Sequence, residues 1–152
     1  MKKVLKSLVM FFTGFSLYLL IEYMFRGYTF VLMGVLGGIA IVILDKINDE
    51  ISWNVDLLVQ SMLGANLITF MELVVGLIAK YTSLLPVMWD YSNMPLNYKG
   101  IICVPFYAAW MALSIVAIFI ADAINYYIFH DTICPYYLLF GGQIRLKFIA
   151  RK

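Results

Sequence analysis

The sequence predicts an all-α, polytopic membrane protein: a four-helix bundle with both termini cytoplasmic and a structured outer loop between the third and fourth spans. Three observations predict it. Apolar residues make up 64% of the 152-residue chain and charged residues 13%, whereas soluble domains carry about 45–50% and about 25%. A soluble chain this short could not bury so much apolar surface, so lipid must solvate much of it. Four long apolar runs follow one another, and helix is the structure that closes its own backbone hydrogen bonds in lipid. Lys and Arg, finally, are distributed unevenly across those runs. One integral membrane domain is expected over residues 1–152.

The first run spans about residues 5–25. Its basic start resembles a signal peptide, but the run exceeds a signal's apolar core of about 7–15 residues, and no small-residue cleavage site follows. A retained first membrane helix is expected. The second span, about 28–44, is short but continuous, "YTFVLMGVLGGIAIVIL". The third, about 55–80, is the most polar, with Gln60, Ser61, Asn66, Thr69 and Glu72. The fourth, about 101–127, is the longest. The tail, 134–152, is apolar but broken by Gly141-Gly142 and studded with basic residues. It is too short and too charged to span, so an interfacial segment, small strand or turn is expected, held at the lipid surface by basic and aromatic residues or docked on a partner.

Lys2, Lys3 and Lys6 flank the first helix, Lys46 follows the second, and Arg145, Lys147, Arg151 and Lys152 lie in the tail. Only Arg26, Lys80 and Lys99 fall on the other side of four crossings. The excess of basic residues marks the cytoplasmic face, which gives N-in, C-in and integration in the cytoplasmic membrane.

Lipid supplies no hydrophobic drive between helices, so their contacts rely on small residues and polar pairs. Gly34, Gly37 and Gly38 offer such a face on the second span, and Ser61, Gly64 and Ala65 on the third, with Gly76 further along. They predict packing inside the bundle, or a homo-oligomer seam.

The polar residues of the non-cytoplasmic half are the candidate site. Glu22 and Arg26 are i, i+4 neighbours and can pair. Glu72 lies eight residues before Lys80, roughly 12 Å inside that helix end. A carboxylate at depth costs about 2.5–3.5 kcal/mol on insertion scales, so it should face the bundle interior, pair, or be protonated. The intervening stretch "VMWDYSNMPLNYKGIIC", residues 87–103, carries Trp89, Asp90, Tyr91, Asn97 and Lys99. Trp89 and Tyr91 suit the headgroup belt, while Pro86, Pro95 and Pro105 favour a fixed irregular shape. The expectation is that Glu22, Arg26, Glu72 and Asp90 converge beneath this aromatic loop. On the cytoplasmic side, Asp45, Asp49, Glu50, Asp56 and Asp122 are expected to face solvent, and His130-Asp131 to end a helix.

Several chemistries find no support. Cys103 and Cys134 are too few for a disulfide framework and, near opposite faces, too far apart to bridge. With one histidine, no zinc-ligand spacing arises. No GxxxxGK[ST], GxSxG or HExxH is present, so no cofactor, metal or catalytic residue is assigned. The basic residues are those of a cytoplasmic membrane face, which leaves nucleic-acid binding unsupported.

"IEYMFRGYTFVLMGVLGGIAIVILDKIND", "FMELVVGLI" and "WDYSNMPLNYKGIICVPF" together resemble the small bacterial membrane proteins of the Putative ABC-transporter type IV (CmpB-like) family. The vertebrate transmembrane protein 229 group is distantly similar. The resemblance runs over about residues 14–125. Its most specific part is Trp89-Asp90-Tyr91-Ser92 followed by Pro95, Asn97, Gly100 and Ile102-Cys103. Thr29-Phe30 stands where the family pattern has a Ser-His pair, which argues against a histidine-dependent function here. The family name implies transport. Four helices are few for a permease, so a homo-oligomer or a separate ATPase or transport subunit is implied beside membrane lipids.

Three readings follow. The first is a permease-like transport subunit with Glu22, Arg26, Glu72 and Asp90 lining a polar site closed by the 89–100 loop. The second is a non-transporting scaffold or partner-binding subunit in which the same groups hold the bundle. The third is a small membrane enzyme acting on a lipid or lipid-linked substrate, with Asp90 as base and Glu72 as acid.

Overall fold

A computed structural model describes residues 2–151, apart from the side chain of Asn48. Lys152, counted above with the basic tail, lies outside the described residues. Four helices dominate: α1 (Lys2–Arg26), α2 (Val31–Glu50), α3 (Leu57–Thr82) and α4 (Val104–Ala123), the last continued by one π turn over Ile124–Ile128. Two short antiparallel ribbons accompany them, β1 (Asn97–Tyr98) with β2 (Ile102–Cys103), and β3 (Tyr136–Leu139) with β4 (Ile144–Lys147). Among the described residues, α1, α3 and the Val104–Ile128 stretch are long and apolar enough to cross a membrane.

Some element ends differ from those expected, for local reasons. Gly27, at φ +77°, turns the chain out of α1, and α2 starts at Val31 rather than near residue 28. That helix runs past Leu44 to Glu50 because its acidic end finds a partner: Lys6 reaches Asp45 at 3.4 Å and Asp49 at 3.6 Å. The fourth helix begins at Val104, not near residue 101, because Ile102 and Cys103 pair with Tyr98 and Asn97. Pro105 then sits in the first helical turn, where its missing N–H costs nothing.

The chain forms two compact units, Met1–Gln60 with Ile115–Lys152, and Ser61–Ser114. In the first, α1 and α2 form an antiparallel hairpin. Phe11, Phe15, Tyr18 and Leu19 of α1 lie over Gly38, Gly34 and Gly37 of α2. Gly14 and Gly37 bring the two backbones together: a Cβ on Gly14 would stand 2.5 Å from the Gly37 carbonyl oxygen. The packing expected of Gly34, Gly37 and Gly38 is thus made within the chain, and Gly14 is the complementary small residue that sequence reading passed over. Below this contact Met10, Ile41, Ala121 and Ile124 form an apolar core.

A second core of the same unit joins Leu57, Ile118 and Tyr137, flanked by Trp53, Phe119 and Phe148. It anchors the tail, where the small strand expected of residues 134–152 is a hairpin in register Tyr136↔Lys147 through Leu139↔Ile144. Asp56 ties that hairpin to the start of α3. Its Oδ1 accepts from the Leu58 amide at 2.9 Å, an N-cap bond, and its Oδ2 accepts from the Gly141 amide at 2.8 Å.

Candidate functional site

The second unit builds its site around Glu72. This residue sits inside α3, only 3% exposed. Its Oε1 accepts from the Tyr91 hydroxyl at 3.1 Å, and its Oε2 accepts from the Trp110 indole N–H at 2.8 Å. Trp110 comes from α4 and Tyr91 from the 87–103 loop, so one carboxylate joins two helices and the loop. Phe106 completes the cluster, stacked on Tyr91 with centroids 4.3 Å apart and 6.2 Å from Trp110. Buried Tyr and Trp need a partner for their polar atoms, and buried Glu needs donors; each satisfies the other.

The loop is held by its own polar residues. Tyr98–Ile101 make a tight turn closed by an Ile101 N–H bond to the Tyr98 carbonyl at 3.0 Å. Lys99 and Gly100 both take positive φ, +55° and +68°, the shape of a two-residue hairpin turn. Gly100 has a second constraint, since a Cβ there would meet the Ser92 hydroxyl at 2.5 Å. Asn97 accepts from the Gly100 amide at 3.0 Å and donates to the Ser92 and Met94 carbonyls. Trp89 donates its indole N–H to the Ile101 carbonyl at 2.9 Å, and the Tyr91 amide donates to the Gly100 carbonyl at 2.8 Å. Lys80, at the end of α3, donates to the Lys99 carbonyl at 2.7 Å.

A cavity of about 140 Å³ opens between α3 and this loop, lined by Gly76, Lys80, Trp89, Asp90 and Lys99 among others. Glu72 is not among its lining residues; the buried carboxylate sits one turn deeper, behind Tyr91 and Trp110. Gly76 takes the Ile101 side chain directly against its backbone, which brings the loop down onto the helix.

The candidate residues divide accordingly. Tyr91 is not a headgroup-belt ring: it is buried, and its hydroxyl is turned to Glu72. Trp89 is half-buried and pins the ribbon. Asp90 is exposed, and its Oδ1 accepts from both the Ser92 hydroxyl and the Ser92 amide. Those two bonds, the hydroxyl first, hold its carboxyl below the usual carboxylate range. A depressed folded-state pKa stabilises the loop above the unfolded value, about 3.9, and that contribution fades as pH falls through the folded value. Ser92→Ala is therefore expected to raise the Asp90 pKa, and the loop should loosen at a higher pH on acidification. An NMR titration of the Asp90 carboxyl reads both effects, and an unchanged titration in the variant contradicts them.

Glu22 and Arg26 lie in the other unit and form the expected i, i+4 ion pair. Thr29 adds a hydroxyl bond to the same Glu22 oxygen at 3.0 Å. The Arg26 guanidinium lies over the Tyr28 ring at 4.9 Å and the Phe30 ring at 6.0 Å. Thr29-Phe30, read above as a departure from a Ser-His pair, thus supplies a hydroxyl and an aromatic face to one ion pair. Gly64 is buried on α3.

Sequence reading missed three things. Trp110 was unmarked, although a tryptophan N–H in an apolar run is a donor in search of a buried acceptor. Asn66 was noted only as polar, yet it accepts from the Tyr107 hydroxyl at 3.0 Å. The largest correction concerns Asp45 and Asp122, expected to face solvent: they are 7% and 3% exposed. Asp45 accepts from Asn125 Nδ2 at 2.7 Å, and Asp122 accepts from the Tyr137 hydroxyl at 2.6 Å. Burial, with the Asp122 charge beside it, pushes the Tyr137 phenol well above its ordinary range. His130 and Asp131 are exposed at a helix end as expected, with Arg151 bonded to His130 Nδ1 at 2.7 Å.

No curated protein and no solved structure matches the chain. The family model described as Putative ABC-transporter type IV matches residues 22–141, which takes in the Glu22–Arg26 pair and every residue of the Glu72 cluster. The match and the span-like helices fit a membrane, transport-related protein, and the chain belongs to the Putative ABC-transporter type IV family.

Proposed function

We propose that the chain is a permease-like subunit of the cytoplasmic membrane, with both termini inside and α2 as a fourth crossing. In this reading the Glu72 cluster is a polar station at the outer end of unit two, roofed by residues 87–103. The observation that carries it is a carboxylate buried within an apolar span and held by two neutral donors. Such a group is costly in lipid and marks a proton or cation pathway by default. The loop is the gate: the Tyr91 hydroxyl joins it to Glu72, and that bond can open without unfolding α3. ATP hydrolysis, if coupled, belongs to a separate chain, and a homo-oligomer or such a partner completes the path.

The test is ion flux in proteoliposomes of native protein and Glu72→Gln. Native protein is expected to conduct protons or a monovalent cation, and the variant, folded by the criterion of a monodisperse detergent peak, is expected to lose that flux about tenfold or more. No flux from native protein, alone or with its co-purified partner, overturns the proposal.

A second reading has its own supporting observation. Both Glu72 oxygens are engaged by aromatic donors, an arrangement suited to pinning a loop for a partner to recognise. Under this scaffold reading the native protein conducts nothing, and Tyr91→Phe disturbs partner capture by loosening the loop.

A further inference from the structure

The cavity of about 140 Å³ at the end of α3 holds none of Glu72, Tyr91 and Trp110, and its lining has a chemistry of its own. It sets Lys80 and Asp90 in one space, with Ser92, Trp89, Lys99 and Gly100 around them. Lys80 donates to the Lys99 carbonyl at 2.7 Å, which holds its ammonium at the wall and leaves two of its three N–H groups over. Asp90 uses Oδ1 for the Ser92 hydroxyl and amide, and its Oδ2 accepts no hydrogen bond among the described residues. After those two Ser92 bonds, the Lys80 charge also lowers the Asp90 carboxyl. Each group therefore senses the other, yet neither belongs to an ion pair among the described residues. The Lys99 ammonium is turned to two rings, 5.4 Å from the Tyr81 centroid and 5.6 Å from that of Tyr98. Gly100 leaves room beside the carboxylate, since a Cβ there would stand 2.8 Å from Asp90 Oδ1.

Volume and position decide what fits between the two charges. Sites that enclose a whole small ligand run to roughly 300–1,000 Å³, so this one admits a compact polar group whose remainder stays outside. Lys80 lies in the last turn of α3, a helix apolar enough to cross a membrane. The cavity of a membrane-spanning α3 therefore opens at the level of lipid headgroups. The strap that leads from α3 to the loop is apolar and bare: Leu84 is 77% exposed, and Val87, which lines the cavity, is 63% exposed. Such a rim suits acyl chains and gives a free polar solute nothing to hold.

We propose that this cavity binds the headgroup of an aminophospholipid, a phosphodiester anion tethered to a primary ammonium. The phosphate accepts from the remaining Lys80 N–H groups, and the ammonium donates to Asp90 Oδ2. One zwitterion thus bridges two opposite charges that do not reach each other. The acyl chains leave the cavity past Val87 and Leu84. A phospholipid without an amine leaves Asp90 unanswered, and a quaternary ammonium has no N–H to donate to it. The site does not rest on the transport reading, since it requires only that α3 lie in a membrane.

The test is calorimetric titration of the full chain, in a detergent with an uncharged headgroup, with dihexanoyl phosphatidylethanolamine as the probe and empty micelles as the blank. Saturable binding is expected. The dihexanoyl forms of phosphatidylcholine and phosphatidylglycerol should each bind about tenfold more weakly, as expected for the loss of one hydrogen bond to a charged group. Glycerophosphoethanolamine, the same headgroup without chains, separates a lipid from a free solute and should bind about tenfold more weakly or worse. Asp90→Asn keeps an Oδ1 acceptor for Ser92. It should weaken phosphatidylethanolamine about tenfold and leave phosphatidylcholine unchanged. Lys80→Gln should weaken both lipids alike and preserve their ratio. Both side chains are exposed, so both variants fold, and a merely loosened loop would not divide the two lipids in this way. No saturable heat overturns the proposal, as does equal binding of phosphatidylglycerol or glycerophosphoethanolamine, or an unchanged preference for ethanolamine over choline in Asp90→Asn.

Discussion

Gly37→Val is expected to destabilise the protein by about 3 kcal/mol, at the upper end of the range for overpacked cores. The Cβ alone would stand 2.5 Å from the Tyr18 Cβ and 2.9 Å from the Gly14 carbonyl oxygen. Neither neighbour is the free end of a flexible side chain, so α1 and α2 must separate over the whole contact. Close backbone approach is what holds such helices together in lipid, and the separation forfeits the packing of Phe11, Phe15 and Leu19 as well. The measurement is the thermal midpoint in detergent, followed by tryptophan emission, with Ile39→Val on the outward face as a near-neutral comparison. A midpoint for Gly37→Val equal to that of Ile39→Val means that the hairpin contact is absent.

Glu72→Ala is expected to cost about 2 kcal/mol. Two donors lose their acceptor at once. In water a buried orphan costs about 1–3 kcal/mol, but interhelical hydrogen bonds in membrane proteins average about 0.6 and reach about 1.7, because an inserted, unpacked chain finds other partners. Two bonds at about 1 kcal/mol each, between that mean and that maximum, set the figure. Tyr91→Phe keeps the stacking on Phe106 and deletes one bond, so about 1 kcal/mol is expected. A double-mutant cycle between the two sites should return a coupling of about that size, and additive effects would show that the hydroxyl does not hold the carboxylate. Trp110 emission should shift in Glu72→Ala and stay near native in Tyr91→Phe, since only the first change removes the indole's partner.

The helices were legible because composition and run length decide them. The Glu22–Arg26 pair was legible because i, i+4 spacing on one helix needs no tertiary information. The glycines of α2 announced a close contact, but its partner did not, because Gly14 stands alone among larger residues. Loop residues 87–103 were recognisable as ordered from their prolines and polar groups. The direction of Tyr91 was not, since a tyrosine between Asp90 and Ser92 looks amphipathic and the turn that aims it inward depends on Gly100, nine residues later. Asp45 and Asp122 were misread for a similar reason. Position along a helix places both near an end, where water is the default, but the packing of Tyr137 and Asn125 over them comes from residues distant in sequence. Burial near a helix end is a tertiary property, and one-dimensional depth cannot supply it.

Asp56 gives the chain an order of assembly. One oxygen of its carboxylate serves the amide of Leu58, two residues on, and is engaged as soon as α3 forms. The other must wait for Gly141, which leaves the ribosome eighty-five residues later. Until then that oxygen is hydrated, and the tail hairpin has no latch. The tail hairpin is therefore latched to the start of α3 only after that helix has formed, and Asp56→Ala should let the hairpin come away while α3 stays wound.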